Sequence, residues 1–93
     1  MIKVKQLANN QFIIKGDKLG NGCRDKWFQS YDSTIVYMDN FTGGVILDKK
    51  YWNYSKTTSK YRNKFLNETT KETQAKIDSG EYVLTDLNAW NPI

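Results

Sequence analysis

The periodicity of the chain changes at Asp48. Before it, apolar residues alternate with polar ones or gather in short β-branched and aromatic runs; after it, like side chains recur every fourth residue. A chain patterned in this way builds a sheet first and adds helices to it. The expected architecture is α+β, a small antiparallel β-sheet of four to six strands packed against two short α-helices. Ninety-three residues, 39% apolar and 14% aromatic, make one domain with a small core in which rings supply much of the bulk.

In residues 1–48, Ile2, Val4 and Leu7 stand against Lys3, Lys5 and Gln6, Ala8-Asn9-Asn10 supplies a turn, and Gln11 to Lys15 resumes as strand, which together read as a hairpin. Gly16 to Asp25 carries three glycines among charged residues and reads as an exposed loop, with Cys23 in it or at its edge. Trp27 to Tyr31 and Ile35 to Met38 are further β-rich runs, broken by Asp32-Ser33, and Asn40 to Gly44 turns the chain into Val45-Ile46-Leu47. These elements form a β-meander.

Residues 49–80 read as a basic aromatic segment and two helices. Ser55, Thr57 and Thr58 are all credible N-caps for a first helix, predicted over Thr58 to Leu66, that places Tyr61 and Phe65 on one face and Lys56, Lys60 and Lys64 on another. Thr69 and Glu72 make a capping box for a second helix, predicted over Thr70 to Ser79, with Ala75 and Ile77 as its apolar face and Gly80 in the C′ position. In residues 81–93, Glu81 to Leu87 returns to β-type residues and should join an edge of the first sheet. Asn88 to Ile93 follows as a tail whose Trp90 either pins it to the body or stands exposed as a contact.

Charge is distributed unevenly. Residues 1–48 carry six bases and five acids, residues 49–67 six bases and no acid, and residues 68–93 two bases and five acids. Within this distribution the run Tyr51 to Leu66 interleaves five aromatic rings with four basic side chains. Such a run points to binding: lysine and arginine neutralise phosphates or an acidic protein face, and rings can stack on bases. The candidate binding residues are Lys49, Lys50, Lys56, Lys60, Arg62, Lys64, Tyr54 and Trp90. Of Tyr51, Trp52, Tyr61 and Phe65, at least three are expected to be drawn inward to fill the core of so small a domain.

The chain contains no histidine, and its carboxylates lack metal-loop spacing, so no catalytic residue, metal site or cofactor is expected. The Gly43-Gly44 pair lacks the Lys and Ser/Thr of a phosphate-cradling loop and reads as a turn between strands. One cysteine permits no intrachain disulfide, and no apolar run approaches the roughly 20 residues that span a bilayer, so a cytoplasmic, non-membrane setting is expected.

Phe28-Gln29-Ser30-Tyr31, the run from Tyr51 to Leu66 with its Tyr-Ser-x-Thr-Thr step at Tyr54 to Thr58, and Ser79-Gly80-Glu81-Tyr82 together resemble a group of proteins. These are small, mostly uncharacterised proteins encoded by phages, prophages and plasmids of Gram-positive bacteria. The resemblance implies a non-enzymatic accessory protein that binds and obstructs a host defence machine in the bacterial cytosol, as anti-CRISPR proteins do to CRISPR effector nucleases. A type II effector ribonucleoprotein is then the expected partner. The alternative is an accessory protein that binds DNA or RNA through its basic aromatic surface.

Overall fold

The computed structural model describes residues 3–17, 24–39 and 42–88. Six strands form one sheet in the order of the chain: β1 (Lys3–Ala8), β2 (Gln11–Asp17), β3 (Arg24–Ser30), β4 (Ser33–Met38), β5 (Val45–Asp48) and β6 (Tyr82–Thr85). The first five are an antiparallel meander, and two helices, α1 (Lys56–Leu66) and α2 (Thr70–Asp78), intervene before β6. β6 joins the edge of the meander at β5, as the sequence suggests, but runs parallel to it. A parallel neighbour needs a long crossover connection, and the two helices are that connection. The fold is α+β.

Turn chemistry sets the meander. Asn10 and Tyr31 adopt left-handed conformations (φ 61° and 56°) at the β1–β2 and β3–β4 turns, and the Tyr31 N–H donates to the Asn10 carbonyl at 2.7 Å, so the two turns support each other. Gly43 (φ 77°) turns the chain towards β5, a conformation that costs glycine little.

One correction to the sequence reading concerns the Gly16 to Asp25 stretch. Gly16 and Asp17 close β2, and Arg24 and Asp25 open β3. Glycine serves packing here: a Cβ at Gly16 would lie 3.2 Å from the Trp27 ring, which occupies that space. Cys23 lies outside the described residues. A second correction is the start of β4, which already includes Ser33.

Cross-strand partners place the core on one side of the sheet. Phe28 pairs with Val36, Val36 with Leu47, and Val45 with Tyr82, and all five are buried. A bulge leaves Ile35 without a partner between the Phe28–Val36 and Gln29–Thr34 pairs, and it too is fully buried. Both helices cover this side. Phe65 of α1 stacks on Phe28 with ring centroids 6.0 Å apart, the Thr58 and Ser30 hydroxyls meet at 2.8 Å, and Tyr61 and Ile77 pack against the same cluster.

The helix ends follow from their caps. Ser55 accepts from the Thr58 N–H, so α1 begins two residues before the predicted Thr58. Thr69 and Glu72 form the predicted capping box, and Gly80 (φ 83°) follows the Ser79 cap of α2. Ala75, expected inward, is exposed; Thr73 takes the buried position.

α2 is seated on β6 by a polar cluster around Glu68. Its carboxylate accepts from Thr73 Oγ1 at 2.5 Å, Tyr82 OH at 2.8 Å and Lys76 Nζ at 2.9 Å. Burial raises the Glu68 pKa, but these three donors together outweigh it and leave the carboxyl below its ordinary value. A folded pKa below the unfolded one contributes stability that is full above the unfolded pKa and is lost as pH falls through the folded one. Urea midpoints should therefore fall on acidification below the ordinary glutamate range, and Glu68→Gln should flatten that decline. Separately, Phe65→Ala should cost about 3 kcal/mol, read as a shift in the urea midpoint with an unchanged slope.

Candidate functional site

β5 ends in a turn whose conformation is dictated by Asp48, and that turn launches the basic segment. The buried Asp48 carboxylate accepts from the Lys50 and Tyr51 N–H groups at 3.1 and 2.8 Å, while the Trp52 N–H donates to the Asp48 carbonyl at 3.0 Å. The chain thus coils tightly through Lys49 to Tyr54 before α1. Within this turn Tyr51 meets Tyr54 edge to face, with ring centroids 5.3 Å apart.

Lys49, Lys50, Lys56, Lys60 and Lys64 are all exposed, and none has a carboxylate partner among the described residues. Three of them lie over tyrosine rings: Lys50 is 5.3 Å from the Tyr51 centroid, and Lys60 and Lys64 are 5.4 and 5.1 Å from that of Tyr61. These contacts order the ammonium groups without neutralising them. Lys56 occupies the first position of α1, the positive end of the helix dipole, and no acid stands in that turn. Charges of one sign therefore add there. Beside them a shallow pocket of about 350 Å³ is lined by Asn53, Tyr54, Ser55, Lys56 and Ser59.

Arg62 is the correction to the predicted site. It is fully buried and takes no part in the surface. Its Nη1 donates to the Trp52 carbonyl and to Ser59 Oγ (3.3 Å) and Asn53 Oδ1 (3.4 Å), and its Nη2 donates to Thr70 Oγ1 (2.8 Å) and Asn63 Oδ1 (2.9 Å). The guanidinium also stacks 5.0 Å from the Trp52 ring. Burial lowers its pKa from the ordinary value, opposed by the charge of Glu68, and all five acceptors are neutral. The physical reason for its position is helical geometry: Arg62 is two residues from both Lys60 and Lys64, roughly 200° around the helix, and four from the buried Thr58. It fastens the Trp52 turn, α1 and the start of α2 together.

The predicted residues therefore divide. Lys56, Lys60 and Lys64 recur every fourth residue along α1 and are exposed, Lys49, Lys50 and Tyr54 are exposed in the turn before it, Arg62 is buried, and Trp90 lies outside the described residues. Tyr51, Trp52, Tyr61 and Phe65 are half-buried against the core. Sequence reasoning missed Asn53 and Ser59, which share a 2.8 Å hydrogen bond at the pocket and also accept from Arg62. Ser59 follows the Ser55 cap by one helical turn, which is the signal that could have found it.

No group of three or more metal-ligating side chains occurs among the described residues, and no helix among them is long and apolar enough to cross a membrane. The fold and surface define a small α+β protein with a segregated cationic face. By its match over residues 2–81 to the model of a family of unknown function, DUF8033, the chain belongs to that family. The match spans β1 through α2 and stops at the residue before β6. No curated protein and no solved structure matches the chain.

The two kinds of base should respond differently to substitution. Arg62→Gln removes the donors that satisfy several buried acceptors and should cost about 3 kcal/mol. Lys60→Gln should leave the unfolding midpoint within error. Paired urea titrations at neutral pH check this, and equal effects would show that burial does not separate Arg62 from its neighbours.

Proposed function

We propose that this is a non-enzymatic binding protein whose lysine face docks on a polyanionic surface of a host ribonucleoprotein and obstructs it in the bacterial cytosol. A type II CRISPR effector is the form of target that the sequence resemblance implies. The single observation that supports the reading is the segment from Lys49 to Lys64, which bears five exposed lysines with no carboxylate partner among the described residues. A surface of one sign raises the local potential and steers an anionic partner towards it.

A second reading, an accessory protein for free DNA or RNA, is favoured by the same absence of acids between Lys49 and Asn67. The ring contacts limit its form. Tyr51 and Tyr61 are already engaged by their neighbouring lysines, which favours contacts with phosphates over stacking on bases. Phosphate binding is steeply salt-dependent, with a log-log slope near −3 to −4 for about four contacts on a duplex. A docked interface with an apolar centre is screened far less.

The test mixes the purified chain with a type II CRISPR effector, with and without guide RNA, and follows complex formation and target cleavage. Inhibition at near-stoichiometric protein that persists with added salt and excess unrelated DNA is the expected result. Lys56→Glu, Lys60→Glu and Lys64→Glu combined should abolish it while leaving the circular dichroism unchanged. Tight binding to a defined DNA or RNA with no effect on the effector would replace the first reading by the second. Unchanged binding by the triple variant would remove the lysine face from both.

A further inference from the structure

The side of the sheet opposite the helices carries a second apolar surface. Val4, Ile14, Trp27, Tyr37, Ile46 and Val83 are cross-strand partners in succession, and so form one row across all six strands. Each alternates along its strand with a residue directed at the helices, as Tyr37 does with Val36 and Trp27 with Phe28. The ends of the row, Val4 and Val83, are 62% and 53% exposed, and the four residues between them are half-buried. Trp27 and Tyr37 lie in its middle with ring centroids 5.5 Å apart.

The strand sequences carry the same signature. Phe12-Ile13-Ile14, Ile35 to Met38, Val45 to Leu47 and Tyr82 to Leu84 are unbroken apolar runs. Strands that face water on one side alternate; unbroken runs belong to strands covered on both sides. The helices cover one.

The row is flanked by carboxylates. Asp25, two residues before Trp27 and on the same face, is buried to 8% exposure, and its Oδ1 has no hydrogen-bond partner among the described residues. Burial raises the Tyr37 pKa, and the charges of Asp25 and Asp39 raise it further. A depression of about 250 Å³ beside Tyr37 is bounded by Ile46 and Val83 and by Asp39 and Glu81, the latter 3.9 Å from Lys76. It is smaller than the roughly 300–1,000 Å³ of small-molecule sites, and suits a single long side chain.

We infer that this face binds a basic amphipathic helix of a partner protein, laid across the strands with its apolar side on the row and an arginine or lysine directed at Asp25 and the depression. The spacing fits: strands about 4.8 Å apart make a row of roughly 24 Å, the length of about 16 helical residues with a turn every 5.4 Å. The charge is complementary, and an arginine supplies the donor that Asp25 Oδ1 lacks among the described residues. Among the described residues a second copy of this chain has no such helix to give, because α1 and α2 already spend their apolar sides on the Phe28 and Tyr82 cluster. The inference is independent of the lysine face.

The probe is a synthetic amphipathic peptide about 16 residues long, with leucines on one side and arginines flanking them, titrated into the isotope-labelled full chain and followed by amide shifts. Saturable binding with shifts at Trp27, Tyr37, Ile46 and Val83 is expected. Val83→Lys combined with Glu81→Gln, both at exposed positions, should weaken it by about tenfold or more with circular dichroism unchanged. Lys60→Glu with Lys64→Glu should alter neither the affinity nor the pattern of shifts. Shifts confined to α1, equal binding of a peptide with glutamates in place of arginines, or unchanged affinity of the Val83 variant would overturn the proposal. So would a dimer of the chain alone that Val83→Lys dissolves, or adsorption of the face to phosphatidylcholine vesicles, either of which would assign the row another occupant.

Discussion

A buried carboxylate holds the two halves of the chain in register. Asp48 is fully buried at the end of β5, and besides the Lys50 and Tyr51 amides it accepts from the Leu87 N–H at 2.9 Å and Asn88 Nδ2 at 3.0 Å. Asn88 in turn clamps Thr34 of β4, accepting from its N–H at 2.9 Å and donating to its carbonyl at 3.0 Å. A charge taken out of water is tolerable only when its lone pairs are met by donors. The turn after β5 and the residues after β6 must therefore both converge on Asp48. That convergence explains why β6, arriving from a distant part of the chain, lies parallel to β5, with the Lys49 N–H donating to the Thr85 carbonyl.

Arg62 plays the corresponding part on the helical side. Its neutral acceptors come from the Trp52 turn, from α1 and from Thr70 at the start of α2, so one guanidinium fixes three segments. With the aromatic turn held from beneath, the lysines above it project from a rigid base. The cationic surface is thus displayed by a buried cation, and removal of the latter would alter the former without any change in surface charge.

The local elements were largely legible in the sequence because they depend on neighbours. The Asn9-Asn10 turn, the Thr69–Glu72 box and the Gly80 terminus are each written within a few residues, and each formed where residue chemistry placed it. The β2–β3 boundary was not, because Gly16 signals a loop until Trp27, eleven residues later, is known to need its missing Cβ. Asp48 looked like one more scattered acid, since its partners at Leu87 and Asn88 are nearly forty residues away. Arg62 was misplaced for a different reason. Its charge groups it with the lysines, although its spacing from Thr58 assigns it to the inward face.

Read by segment, charge and apolarity separate across the sheet. The helical side presents exposed lysines whose ammonium groups rest on tyrosine rings, and the other side presents an apolar row bordered by Asp25, Asp39 and Glu81. A net charge of +4 conceals this division. On the proposed reading the two surfaces would select partners of opposite sign, so that a partner suited to one would be repelled by the charges around the other. The same sheet that separates the two surfaces also fixes the distance between them.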